Sequence, residues 1–297
     1  MIGRLLSLSL LFVVLVVAAA WFGNDRFIRR RAAKPENHPA ASDLPYEAVA
    51  FPARDGLAIH AWFLPVDAAE TRGTVILLHG HSGILESDIE IAAALRGAGY
   101  NILQLELRGY GESEGEFITF GAHECLDVLG ALDFLASRGI HRVGVLGFSM
   151  GGAVAIRTAA ESEAIRAVVT EGLYRQLESV MAAWARDRNL PLAGPLHTLA
   201  ALSLRLANRR LGLDLTQSDP IRWVGRIAPR PILFIQGGRD PFVPMADFEA
   251  LWRAAGEPKE RWLVPEAGHR RADRMCPQEY HRRVIDFFDR WLAGQGE

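Results

Sequence analysis

The run Val143-Gly144-Val145-Leu146-Gly147-Phe148-Ser149-Met150-Gly151-Gly152 constrains the fold of this chain more than any other stretch. An apolar, β-type segment ends in Gly147-Phe148-Ser149-Met150-Gly151, and a helix-type pattern, Ala153-Val154-Ala155-Ile156, begins at once. A strand that passes into a helix through so few residues must turn sharply, with backbone strain at the apex. Glycines at 147 and 151 carry no Cβ atoms, so strand and helix can approach closely on either side of the turn. The spacing G-x-S-x-G would stand the Ser149 hydroxyl above a sheet, at a helix N-terminus whose partial positive charge favours developing negative charge. Taken alone, the pentapeptide also fits a glycine-rich turn with a capping serine, so its context must decide.

That context is an alternation of strands and helices. Segments 47–52 and 57–64 read as two strands joined by the turn Arg54-Asp55-Gly56. Further strands are expected over 74–78, 101–107, 142–146, 165–170, 231–236 and 260–264. Helices are expected over 89–96, 123–136, from Ser149 to about 160, over 246–254 and over 277–292. Such alternation predicts an α/β protein with a mostly parallel, twisted sheet and helices on both faces. Between Leu173 and Ser218 it stops. This segment is helical in pattern, rich in Leu, Ala and Arg, and broken at Pro191 and Gly194-Pro195.

The N-terminus is of a different kind. Residues 5–22, LLSLSLLFVVLVVAAAWF, are almost wholly apolar, close to the about 20 residues that a bilayer-spanning helix needs. The run reads as an uncleaved membrane anchor, or alternatively as a signal peptide with Ala18-Ala19-Ala20 as its cleavage site. Arg26, Arg29, Arg30, Arg31 and Lys34 follow it, which favours an anchor with the domain behind it on the cytoplasmic side; export to the periplasm is the alternative. The expected organisation is thus 1–22 anchor or signal, 23–43 basic linker, and 44–297 catalytic domain with an insertion at about 173–218.

Composition narrows the function. With 49% apolar residues a sizeable core is available, and a formal charge of −2 with no basic stripe beyond residue 35 argues against nucleic acid as a partner. Cys125 and Cys276 are too few and too far apart for a disulfide framework or a zinc site. The spacing Gly144-x-x-Gly147-x-x-x-Gly151 does not match the G-x-G-x-x-G of dinucleotide-binding turns.

On these residues, from about Leu44 to the C-terminus, the chain resembles an α/β-hydrolase. It is most similar to the serine hydrolases grouped with serine aminopeptidases and the membrane-anchored Bem46-like proteins. The resemblance implies the α/β-hydrolase fold with the 173–218 insertion as a helical lid. It also implies a nucleophile, acid and base met in the order Ser, Asp, His. The sequence offers Ser149, then Asp240 in the turn Gly237-Gly238-Arg239-Asp240-Pro241, then His269 in the turn Pro265-Glu266-Ala267-Gly268-His269, each just past an expected strand. A serine hydroxyl is a weak nucleophile that needs an adjacent base, and a histidine held in one tautomer by a carboxylate supplies it. Asp219 and Glu266 are rival acids. Asp219 precedes Pro220 at a helix start, where N-capping explains it, and Glu266 lies too close to His269 along the same turn.

The resemblance places the oxyanion donors at the backbone N–H groups of Met150 and His81, the latter in the loop His79-Gly80-His81-Ser82-Gly83. His79-x-His81 could be misread as a metal pair, but no further ligand follows at suitable spacing, so neither metal nor cofactor is expected. His79 is expected to order its loop by hydrogen bonding. The turn Arg108-Gly109-Tyr110-Gly111-Glu112-Ser113 is expected to shape the floor of the site, with Arg108 paired to a carboxylate. The expected activity is cleavage of an ester, thioester or amide in a small-molecule or peptide acyl substrate through an acyl-enzyme, most readily as a carboxylesterase. An aminopeptidase-type peptidase and a membrane-tethered, non-catalytic binding protein are the alternatives. Oligomeric state is not legible.

Overall fold

The computed structural model of the chain describes residues 27–31, 33, 35–36, 38–67, 71–187 and 196–293. The expected N-terminal anchor or signal, 1–22, lies outside these residues, as do the breaks at Pro191 and Gly194-Pro195. No helix among the described residues is long and apolar enough to cross a membrane.

Among the described residues eight strands form one sheet: β1 (Glu47–Pro52), β2 (Ala58–Leu64), β3 (Gly73–Leu78), β4 (Tyr100–Glu106), β5 (Val143–Phe148), β6 (Ile165–Glu171), β7 (Ile232–Gly237) and β8 (Lys259–Val264). Their spatial order is β1-β2-β4-β3-β5-β6-β7-β8. The β1–β2 and β2–β4 pairs are antiparallel, and all pairs from β4 to β8 are parallel. Every residue of β4 and β5 is buried, as in strands covered on both faces; β5 is wholly apolar, whereas β4 also buries Asn101, Gln104 and Glu106.

Alternate side chains feed two cores. Ile76, Leu78, Val145 and Val168 pack on one face with Val128 and Leu132 of α2 (Glu124–Ser137) and Val154 of α3 (Met150–Glu161). Val75, Leu77, Leu146 and Phe148 pack on the other face with Leu95 of α1 (Ile89–Gly97) and with α8 (Pro277–Phe288). The buried stripe Tyr280, Val284, Phe287 and Phe288 recurs at helical spacing, so the period of the sequence decides which face of α8 meets the sheet. α6 (Met245–Ala254) follows β7, and a short α7 (Ala272–Met275) precedes α8.

The chain order reverses beside β3: it moves outward to β4, then crosses back to β5 on the other side. Carboxyl ends of strands at such a reversal open a crevice between their loops. Leu78 of β3 is in register with Gly147 of β5, so the loop after β3 and the turn at Ser149 flank that crevice. The insertion between β6 and β7 contains α4 (Leu177–Asp187) and α5 (Leu196–Leu211).

Residues 27–31, expected within the basic linker 23–43, pack against the domain that follows. Ile28 is buried in the first core at 1% exposure, and Arg29 and Arg31 form β-bridges with Phe117 and Tyr110. Two apolar residues, Phe27 and Ile28, between arginines give no periodic signal from which this packing could be read.

Candidate active site

Ser149 occupies the apex of the β5–α3 turn at φ 51° and ψ −110°, a region that costs a non-glycine residue of order 1–3 kcal/mol. Its N–H donates to the Glu171 carbonyl at 2.9 Å, fastening the turn to the end of β6. The flanking glycines are required by contact. A Cβ on Gly147 would stand 2.4 Å from the Gly151 carbonyl oxygen, and one on Gly151 would stand 2.1 Å from that of Leu78.

The loop after β8 brings His269 to this serine. Nε2 lies 3.0 Å from Ser149 Oγ, and Nδ1 lies 2.7 Å from Asp240 Oδ2 in the loop after β7. Asp240 is held from several sides. Its Oδ1 accepts from the N–H groups of Phe242 at 2.8 Å and Val243 at 3.0 Å, and Gln236 Nε2 donates to its Oδ2 at 3.2 Å. The Asp240 side chain is 1% exposed and that of His269 18%, so the carboxylate is sealed while the imidazole borders the crevice. Because Asp240 Oδ2 can only accept when ionised, Nδ1 carries the proton and Nε2 is free to accept from the serine hydroxyl.

The rival acids are occupied elsewhere. Asp219 Oδ1 accepts from the Leu177 N–H at 2.8 Å, so it caps the start of α4 rather than its own turn as expected. Glu266 pairs with Arg239 at 2.5 Å in an exposed position.

On the opposite wall, His79 Nδ1–H donates to the Gly80 carbonyl at 2.9 Å and Nε2 accepts from the Leu107 N–H at 3.2 Å. Burial pushes this imidazole down to about 4, so it is neutral and fixes the loop. Gly80 lies against the Ser149 turn, where a Cβ would be 3.5 Å from that of Ser149. The N–H groups of His81 and Met150 donate to no described residue. Tyr110 ties them together: its hydroxyl donates to the His81 carbonyl at 2.9 Å and lies 3.9 Å from Met150 Sδ. The Arg108–Ser113 turn that carries Tyr110 is fixed by carboxylates. Arg108 binds Asp127 at 2.7 Å and Asp55 at 2.7 Å, and Glu106 accepts from the N–H groups of Glu112 and Ser113 at 2.6 and 3.2 Å. Among the described residues, no group of three or more His, Cys, Asp or Glu side chains could hold a metal ion.

Several residues at the site escape sequence reasoning. Arg270, beside His269, adopts φ 50°, pairs with the buried Asp88, and lies 4.1 Å from the centre of the Phe148 ring. It thereby links the His269 loop, the Ser149 turn and the turn before α1. Glu171 is buried behind the serine and accepts from the Ala272 N–H at 3.1 Å, and burial pushes its carboxyl up to about 7. A positive φ at a non-glycine residue and a carboxylate at a strand end carry no sequence signature.

The sheet order and the strained serine between strand and helix define an α/β-hydrolase architecture. The alpha/beta hydrolase family model matches residues 75–287, more than half the chain, and the protein belongs to that family. Among its relatives, Rv2307c of Mycobacterium tuberculosis is 29% identical over 273 residues, covering 86% of this chain and 87% of its own. YfhR of Escherichia coli K12 is 27% identical over 252 residues, covering 81% and 80%. Protein bem46 of Schizosaccharomyces pombe is 24% identical over 256 residues, covering 84% and 78%. Among solved structures, the Pyrococcus furiosus esterase Pf2001 superposes with a TM-score of 0.73 at 24% identity, covering 89% of this chain and 98% of its own, a likeness of fold.

Proposed function

We propose that this protein is a serine hydrolase that cleaves acyl bonds, esters most readily, through an acyl-enzyme. The observation that carries this reading is the unbroken hydrogen-bond chain from Asp240 to His269 to Ser149, at 2.7 and 3.0 Å. His269 Nε2 takes the hydroxyl proton as Ser149 Oγ attacks the substrate carbonyl carbon, and Asp240 stabilises the imidazolium that forms. The N–H groups of Met150 and His81 receive the tetrahedral oxyanion. Each such donor is worth about 3 kcal/mol of barrier. His269 then gives the proton to the leaving group, which departs and leaves the acyl group on Ser149. A water molecule, deprotonated by the same imidazole, attacks that ester and restores the serine. The substrate is a small-molecule or peptide acyl compound.

The organisation we propose is residues 1–22 as a membrane anchor and 44–297 as the hydrolase domain, with the 173–218 insertion as its lid. Four residues, 23–26, separate Phe22 from Phe27, and an extended chain spans at most about 3.6 Å per residue, so Phe27 lies within about 18 Å of the end of the apolar run. Such a tether would hold the crevice near the bilayer surface.

A fluorophosphonate probe tests the chemistry. Wild-type protein should be labelled and Ser149→Ala should not; equal labelling of both, or none of the wild type, would refute the reading. Hydrolysis of p-nitrophenyl esters of rising chain length then reports the acyl pocket.

A further inference from the structure

We propose that Phe27 is a positioning residue of the active site: the segment Phe27–Arg31, ahead of the hydrolase domain, holds the His81 peptide in the orientation that oxyanion binding requires. This rests on the serine-hydrolase reading above and assigns a further component to that site.

The segment is clamped to the domain at one end and to His81 at the other. Four main-chain hydrogen bonds fix it: Arg30 N–H to Glu116 O at 2.9 Å, Arg31 N–H to Gly109 O at 2.7 Å, Gly111 N–H to Arg31 O at 2.9 Å, and Ile118 N–H to Ile28 O at 2.7 Å. Arg30 adds a side-chain bond to the Gly111 carbonyl at 2.8 Å, and Ile28 is sunk in the core. From this base the segment engages both ring nitrogens of His81. Nε2 lies 2.8 Å from the Phe27 carbonyl oxygen, and Nδ1 lies 3.4 Å from Arg31 Nη2. A carbonyl can only accept and a guanidinium can only donate, so Nε2 carries the proton and Nδ1 is bare. Burial and the neighbouring Arg31 hold this imidazole down to about 4, which keeps it in that single neutral tautomer.

The rings complete the clamp. Phe27 stacks on His81 with centroids 4.6 Å apart, and both stack on Phe120, at 5.3 and 5.1 Å. Trp184 of α4 meets the Phe27 ring edge-on at 5.6 Å. Since Tyr110 binds the His81 carbonyl, and its own loop is bonded to Arg31, the His81 peptide is held on its side-chain and carbonyl sides. Its N–H lies in the Gly80–His81 peptide plane, whose carbonyl accepts from His79 Nδ1 at 2.9 Å, so the clamp on the far side of the His81 Cα completes the orientation of that N–H. A donor misplaced by about 1 Å can cost on the order of 100-fold in rate, so loosening this clamp acts on the transition state rather than on substrate binding.

The test uses the full chain, with Phe27→Ala and the conservative Phe27→Tyr. The readouts are kcat and KM on a p-nitrophenyl ester and Ki for an aryl trifluoromethyl ketone, which forms an oxyanion adduct on the serine. We expect Phe27→Ala to lower kcat at least about 10-fold with KM within about twofold, and to weaken the ketone by the same factor as kcat/KM. Phe27→Tyr, which keeps the stack, should restore both to within about threefold. If Phe27→Ala does not melt cooperatively, Phe27→Leu carries the test, since it keeps apolar volume and loses the stack. An active, labelled wild type whose variants keep kcat and Ki would overturn the proposal. So would a rise in KM at constant kcat, which would make Phe27 a wall of the acyl pocket and no more. A wild type that is neither labelled nor active would overturn the serine-hydrolase reading itself, and this proposal with it.

Discussion

Glu171→Gln should stabilise the protein at pH 8 and leave its stability unchanged near pH 4.5. The Glu171 carboxyl lies at the end of β6 with 2% of its surface exposed, beside the buried Tyr280 hydroxyl. Burial, and then Asp273, raise it from its ordinary value of 4.5 to about 7, with Arg270 opposing them. An unfolded chain loses this proton near 4.5, whereas the folded protein keeps it until about 7. Between those values the folded state binds more protons, so stability falls as pH rises, and above about 7 the loss is complete. Each pH unit in that window is worth ~1.4 kcal/mol, so the buried charge costs about 3 kcal/mol at pH 8. Glutamine keeps the shape and the acceptor for the Ala272 N–H but never ionises. At roughly 2–4 °C per kcal/mol for a large domain, the variant should melt about 6–12 °C above wild type at pH 8, with the difference closing towards pH 4.5. Calorimetry or fluorescence melting at four pH values between 4.5 and 8 measures this. Since Ser149 N–H binds the Glu171 main-chain carbonyl, the Ser149 turn keeps its anchor in the variant. A difference in Tm that is constant with pH, or a variant less stable than wild type at pH 8, would refute the reasoning.

Two further outcomes follow from the site. Gly151→Ala places a Cβ 2.1 Å from the Leu78 carbonyl oxygen, and because both partners are backbone the strand and helix must part. We expect a loss of about 3 kcal/mol or more, read as a Tm drop of at least about 6 °C, and a Tm within about 2 °C of wild type would contradict this close approach. Asp240→Asn should keep the fold but lower kcat by about 10⁴-fold, because an amide NH₂ placed against Nδ1 selects the tautomer whose Nε2 carries the proton. Steady-state kinetics on an activated ester would show it, and a fall of less than about 10-fold would argue that Asp240 does not orient the base.

Much of the architecture is legible in the chain because it follows from short-range rules. The strands expected over 47–52 and 74–78 match β1 and β3 within a residue, since continuous apolar runs bounded by turn residues have few other solutions. The strand expected over 142–146 extends to Phe148, because the turn begins at the serine itself and Gly147 still pairs with Leu78. Helix α8 ends at Phe288 and continues as a π-helical turn over Asp289–Ala293, where Arg72 and Tyr100 bind the Asp289 carboxylate. No pattern within the helix announces that change, because its partners lie on β4 and on the residues before β3.

Sequence by itself determined the local devices: the glycine-flanked serine between strand and helix, the alternation that builds a parallel sheet, and the residue types that follow successive strands. Each rests on backbone sterics or on side-chain period, which act between near neighbours. Only the tertiary structure decided that His269 bonds Asp240 while Asp219 caps α4 and Glu266 pairs with Arg239. It alone decided that Phe27 reaches His81 and that Arg270 bridges three loops. These contacts join residues tens to hundreds of positions apart, and which of them form depends on how the sheet brings loop ends together at its carboxyl edge.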